Sequence, residues 1–346
     1  MTRRILIAGI STYWGGRLAQ ALEGFEEVEA IIGIDSVEPR RELERTEFVK
    51  VTNQHSLLSR IVRAAEIDTV VDSRLTVNSV TDRPRSAHDN NVIGTMNIVT
   101  ACAGSDSPVR KFIFKSSTHY YGSEQDDPAF FLEAMRRPHT PRTPLERDIG
   151  EAEGAVAEFA EKHPGVEVTV LRCANVLGPD VDTAFTRMFA LPVVPMVLGF
   201  DPRLQFVHEI DVVRAIMFVF EHDIDGTFNV AGDGLLPWSE VAAMCDKRLA
   251  PLPPVGRGLV GALLTRVGID MPPELVDLLT YGRGVDNRRL KQAGFEYCCT
   301  SAGAVRAFAE AARLRGTIGD RVTYRYERDV EQFFRHSPAV VRDHGG

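Results

Sequence analysis

The feature that most restricts this chain of 346 residues is a short apolar run that stops at glycine and is answered by a second run that stops at an acid. Ile5-Leu6-Ile7-Ala8-Gly9 is followed, after an amphipathic stretch over 17–22, by Ala30-Ile31-Ile32-Gly33-Ile34-Asp35. Apolar runs of this length without alternation suit strands covered on both faces. Further runs at 48–51, 69–71, 112–114 and 168–171 are separated by helical patterns. Such alternation predicts an α/β fold built on a doubly wound parallel sheet. Ligands of these sheets bind at the carboxyl ends of the strands.

After Pro179 the alternation fails. Segments 205–208 and 227–230 read as strands returning to the sheet, and the proline-rich stretches 180–204 and 235–286 read as a smaller lobe over the strand ends. No internal repeat is found. A hydrophobic content of 44% and a net charge of −8 describe an ordinary globular protein without a general nucleic-acid or anionic-membrane surface. Residues 1–9 lack the apolar run of a signal peptide. The most apolar stretch, 188–200, is broken by Pro192 and Pro195 and is shorter than the roughly 20 residues a bilayer needs. A cytoplasmic protein with no nucleic-acid and no membrane partner is expected. Five cysteines without paired spacing predict buried free thiols, with no disulfide framework and no metal site.

Ordered matches then accumulate: Gly9 and Gly15, Asp35, Asn91-Val92-Ile93-Gly94-Thr95-Met96-Asn97, Ser116-Ser117-x-x-x-Tyr121-Gly122, Leu171-Arg172-Cys173-Ala174-Asn175, Phe206-Val207-His208, and Gly226-Thr227-Phe228-Asn229. Over roughly residues 3–300 the chain resembles the extended short-chain dehydrogenase/reductases of the NAD-dependent epimerase/dehydratase type. The resemblance implies a Rossmann-like domain over 1–178, completed by strands near 205–231, and a substrate lobe over 179–315 interleaved with it. It leaves a tail, 316–346, without a readable role. It also implies an NAD cofactor, a nucleotide or nucleotide-sugar ligand, and a homodimer formed through the two helices beside the site.

On that resemblance, the cofactor turn comprises Gly9, Thr12, Tyr13, Trp14 and Gly15, with threonine where the family has its middle glycine. Thr12 in a left-handed conformation would be strained by about 1–2 kcal/mol, so either the turn is rebuilt or Thr12 adopts an ordinary one. Asp35 suits the ribose hydroxyls and repels a 2′-phosphate, favouring NAD over NADP without excluding NADP. Arg40 and Arg41 read as a solvated charge run. Thr52 and Asn53 stand where an Asp-Ile pair lies beside adenine, and Asn91 belongs to the same cofactor set. Asp72-Ser73-Arg74-Leu75 replaces His-x-Ala-Ala. Arg74 then fills the space, pairs with Asp72 or reaches a phosphate.

The resemblance places a catalytic Tyr-x-x-x-Lys where this chain has Leu145 and Ile149, with Ser117 retained. Losing positioned acid–base groups removes roughly 10²–10⁴-fold in rate. His119 is the candidate substitute proton carrier, in a cluster with Lys115, Tyr120 and Tyr121; Tyr121 is expected to pack. Arg147 and Asp148 are expected to pair with each other. Asn175, Arg187, Arg203 and Arg283 are the substrate-binding candidates, while His208 and Asp211 shape a helix start. The leading expectation is a catalytically degraded binding protein acting as sensor or scaffold. One alternative is an active nucleotide-sugar enzyme with a relocated acid–base residue; another is an interaction protein with a closed, cofactor-free cleft.

Overall fold

The computed structural model describes residues 2–51, 55–77, 84–136, 139–253 and 271–318. The first half runs β1 (Arg3–Ala8), α1 (Tyr13–Leu22), β2 (Val28–Asp35), β3 (Thr46–Lys50), α2 (His55–Ala64), β4 (Thr69–Asp72), α3 (Pro84–His88), α4 (Gly94–Cys102), β5 (Lys111–Ser117), β6 (Phe130–Phe131) and α5 (Pro144–Lys162). There follow β7 (Glu167–Cys173), β8 (Asn175–Leu177), α6 (Ala184–Ala190), β9 (Val193–Val197), β10 (Arg203–Leu204), β11 (Phe206–His208), α7 (Glu209–Glu221), β12 (Gly226–Val230) and, after a short bridge, α8 (Trp238–Met244).

Seven of these strands form one sheet in the order β3-β2-β1-β4-β5-β7-β12, and every neighbouring pair is parallel. This is the predicted doubly wound, Rossmann-like sheet. Its strand order reverses between β1 and β4, which opens a crevice above their carboxyl ends. Successive side chains of a strand point to opposite faces, and the core divides accordingly. Ile5 and Ile7 join Leu18 and Leu22 of α1 and Val212 and Ile216 of α7. Leu6 and Ala8 join Val62 of α2, Ile98 of α4 and Ile149 and Val156 of α5. Each fully buried aliphatic side chain contributes roughly 1.5–3 kcal/mol. A third core, around Trp238, Phe185, Phe189 and Phe206, lies among the elements after β7.

Segment 205–208 does not return to the sheet. β11 pairs with β8 instead and turns at once into α7, whose N-terminus His208 caps by accepting the Ile210 N–H at 3.2 Å. The sheet edge beside β7 is taken by β12. Cys102, Cys173 and Cys245 are buried, but Cys298 is exposed and Cys299 half-buried. Asp211 holds this pair near the surface, accepting their backbone N–H groups at 2.8 and 3.2 Å. No described helix is long and apolar enough to cross a membrane. The last described helix is Ser301–Ile318, so residues 319–346 of the expected tail lie outside the described residues.

Candidate functional site

Gly9 follows β1 with φ +84°, a left-handed conformation that favours glycine. Thr12 has φ −70° and ψ 159°, the extended geometry of an ordinary helix N-cap. Its hydroxyl donates to the Gly9 carbonyl at 2.6 Å and accepts the Gly15 N–H at 3.1 Å. The β-branched residue is therefore unstrained and closes the turn with two hydrogen bonds. At Gly15, a Cβ would fall 2.2 Å from the Gly9 oxygen, so glycine is what lets α1 settle onto the turn.

The turn forms one wall of a cavity of about 590 Å³, faced by Lys115, Ser117, His119, Asn175, Arg187 and Glu274. A second cavity of about 240 Å³ is lined by Asp35, Ser36, Asp89 and Asn90. Asp35 there accepts the backbone N–H groups of Ser11 at 3.1 Å and Ser36 at 2.7 Å. Arg74 lines both cavities. Its Nε and Nη2 donate to the fully buried Asp72 carboxylate at 3.0 and 2.8 Å. A Cβ at Gly9 would lie 2.7 Å from Arg74 Cγ, and one at Gly94 would lie 2.4 Å from its Nη1. Pairing and filling, which the sequence leaves as alternatives, are thus one arrangement.

Positions 115 and 117 share a face of β5, and both reach the larger cavity. Ser117 Oγ lies 3.0 Å from His119 Nδ1 and accepts the His119 backbone N–H at 3.3 Å. Burial, reinforced by the charge of Arg283, holds the His119 imidazole well below its usual pKa, so it is neutral near pH 7. Burial also lowers the Lys115 ammonium, whose Nζ stands 5.0 Å over the Trp14 ring. Ser116, also part of this wall, donates to Glu153 behind it, which takes a forked ion pair from Arg172 at 2.6–3.0 Å. Arg172 donates in turn to Tyr121 Oη at 2.8 Å, and Tyr121 donates to Asn229. Tyr121 packs as expected, stacked on Phe131.

α5 starts at a capping box between Thr143 and Glu146, with Pro144 in its first turn. That start turns Leu145, Ile149, Ala152 and Val156 into one buried stripe against Phe112 and Phe114. Leu145 and Ile149 are absent from the cavity wall. Asp148 does not pair with Arg147; it bonds His88 Nδ1 at 2.8 Å, because it lies on the buried side of the helix while Arg147 is exposed.

The model of the NAD dependent epimerase/dehydratase family matches residues 5–231. The chain belongs to that family. Among curated proteins it is 31% identical over 325 residues to the uncharacterized protein Rv0501 of Mycobacterium tuberculosis, covering 90% of this chain and 84% of the relative. The uncharacterized protein Mb0513 of Mycobacterium bovis matches to the same extent. Among solved structures, the dTDP-glucose 4,6-dehydratase of Bacillus anthracis in complex with NAD has a TM-score of 0.67 at 16% identity, over 91% of this chain and 98% of that one. The UDP-glucuronic acid 4-epimerase of Bacillus cereus in complex with NAD has a TM-score of 0.69 at 16% identity, over 90% and 99%. The UDP-glucose 4-epimerase of Thermotoga maritima with UDP-glucose has a TM-score of 0.67 at 20% identity, over 90% and 99%.

This epimerase/dehydratase family member brings together Thr12, Tyr13, Trp14, Arg74, Ser117, His119, Asn175 and Arg187 around the larger cavity, and Asp35 at the smaller one. Five candidates stand outside both: Gly9 and Gly15, which shape the turn itself, and Asn91, Arg203 and Arg283. Asn91 is buried and spends its amide on the backbone of Thr76 at 2.8 and 2.9 Å, bracing the loop that lines the cavity. Arg203 is exposed on β10, and Arg283 is buried with Nη1 donating to the Gly122 carbonyl at 2.9 Å. Arg187 lines the cavity while gripped by Asp182. Arg40 is exposed, as expected, and Arg41 half-buried; both border the larger cavity, Arg41 lying 5.3 Å over the Tyr13 ring. Thr52 and Asn53 lie outside the described residues. Glu274 and Leu275 enter from the helix Pro273–Tyr281 and carry no sequence signal that would have singled them out.

Proposed function

We propose that the cleft binds a nicotinamide adenine dinucleotide and a nucleotide sugar, and that the chain acts by binding them rather than by turning them over through the family's tyrosine–lysine chemistry. The observation that carries this reading is the burial of Leu145 and Ile149 in the sheet core, while the cavity above Ser117 stays open. The residues present suit the cofactor. Asp35 faces a cavity that suits an adenosine ribose. The α1 N-terminus at the Gly9–Gly15 turn suits a pyrophosphate. When bound, the nicotinamide would supply hydride transfer. Asn175 and Arg187 stand in the wall next to Ser117 and would meet the nucleotide sugar. An open cavity of this size weighs against the closed-cleft alternative.

The Ser117–His119 hydrogen bond favours a second reading, an active enzyme whose proton passes from a sugar hydroxyl through Ser117 Oγ to the neutral His119 ring. The two readings separate in one set of measurements. Heat-denatured protein should release NAD(H) or NADP(H) near one per chain by mass spectrometry, and UDP- or dTDP-sugars should raise the melting temperature without conversion. Conversion that collapses in Ser117→Ala and His119→Ala would establish the second reading instead. Absence of any released or bound nucleotide would sink both.

A further inference from the structure

We infer that Arg74 determines which nucleotides the cleft accepts: paired with Asp72 it admits mononucleotide-sized ligands on either side, and a dinucleotide only after the guanidinium has moved. This rests on the proposal that the cleft binds a dinucleotide. A ligand carrying a nicotinamide and an adenine half must occupy both cavities. Among the described residues, Arg74 is the one side chain that belongs to the walls of both, and it fills the gap between Gly9 and Gly94.

The closed position is well held. Two guanidinium nitrogens and the Arg74 backbone N–H, at 3.1 Å, all bond Asp72. The Arg74 carbonyl in turn accepts from Asn90 Nδ2 at 2.8 Å. Asp72 has no exposure to water, and its remaining side-chain contact is the Thr95 hydroxyl at 3.4 Å. Opening strips a buried carboxylate of its cation, which is unfavourable. A dinucleotide must meet that cost from its own contacts, whereas AMP beside Asp35 or a nicotinamide mononucleotide beside Ser117 does not. A site competent only in its minor state binds more weakly by the fraction open.

The test is calorimetric titration of NAD, AMP and nicotinamide mononucleotide into the full chain and into the double variant Asp72→Asn/Arg74→Ala, which avoids stranding the carboxylate. Arg74→Ala alone serves as the companion where the double variant fails to fold. The expected result is NAD affinity raised about tenfold, as for a site open one-tenth of the time, with both mononucleotides changed less than about threefold. NAD affinity that stays level or falls in the variant overturns the gate while leaving the cofactor reading intact. So does a rise shared equally by AMP. Failure of all three nucleotides to bind either protein removes the cofactor reading and the gate together.

Discussion

At the scale of single residues, Thr12 and Arg74 show what a sequence can and cannot disclose. Both stand out, from the order of residues alone, as departures from the family's pattern. Which conformation each takes is not readable from the order of residues. Thr12 avoids strain by an extended backbone with φ −70°, one of two choices the pattern leaves open, and Arg74 lies in a gap whose far side, Gly94, is distant in sequence. His119 gives a prediction at this scale. Its folded pKa is depressed by burial, so below the ordinary histidine value of about 6.5 the unfolded chain takes up a proton that the folded chain refuses. Stability present at neutral pH is therefore lost as the pH falls from there toward the folded pKa. His208, also lowered by burial, shares that trend. In His119→Gln the drop in urea midpoint between about pH 7 and pH 5 should be smaller than in wild type; an equal drop would show that the imidazole is not held neutral.

At the scale of elements, the inner strands β1, β4 and β5 were legible because they are largely buried on both faces and carry apolar runs. The segment 205–208 was not. Its apolar content is strand-like, but the His208 cap begins a helix immediately after it, and pairing with β8 rather than with the sheet is a tertiary choice. The buried link between α5 and β7 was equally invisible, since Glu153 and Arg172 come together only when helix and strand pack. Both ends are almost wholly shielded, so Glu153→Ala should cost about 3–5 kcal/mol by stranding Arg172. The double change Glu153→Leu/Arg172→Met should cost much less than the sum of the two single changes, as measured by denaturant unfolding. Additive losses would mean that the pair is not energetically coupled.

At the scale of the whole molecule, the cleft has walls from two separately packed bodies of side chains. Residues 115–119 belong to the sheet, whereas 182–187 and 274–275 belong to the elements gathered on Trp238. Trp238 is fully buried and donates from Nε1 to the Pro195 carbonyl at 2.8 Å. Trp238→Ala should cost roughly 3–5 kcal/mol. Hydrogen exchange should show 184–197 and 238–244 losing protection at lower denaturant than β1, β4 and β5. Simultaneous loss across both bodies would indicate one cooperative unit. The change of rhythm after Pro179 was visible along the chain; the contribution of the helix Pro273–Tyr281 to the wall was not, because nothing local marks which face of a short helix meets a cleft.

The slot between Gly9 and Gly94 changes how a common laboratory control would behave. Placing alanine at a glycine beside a binding cleft is a routine way to block it, and a changed binding signal is then ascribed to a clash with the ligand. Here the added methyl at either glycine would first collide with Arg74. Any change of NAD affinity in Gly94→Ala would therefore report a displaced arginine, and only the same change made in an Arg74→Ala background would report on the ligand.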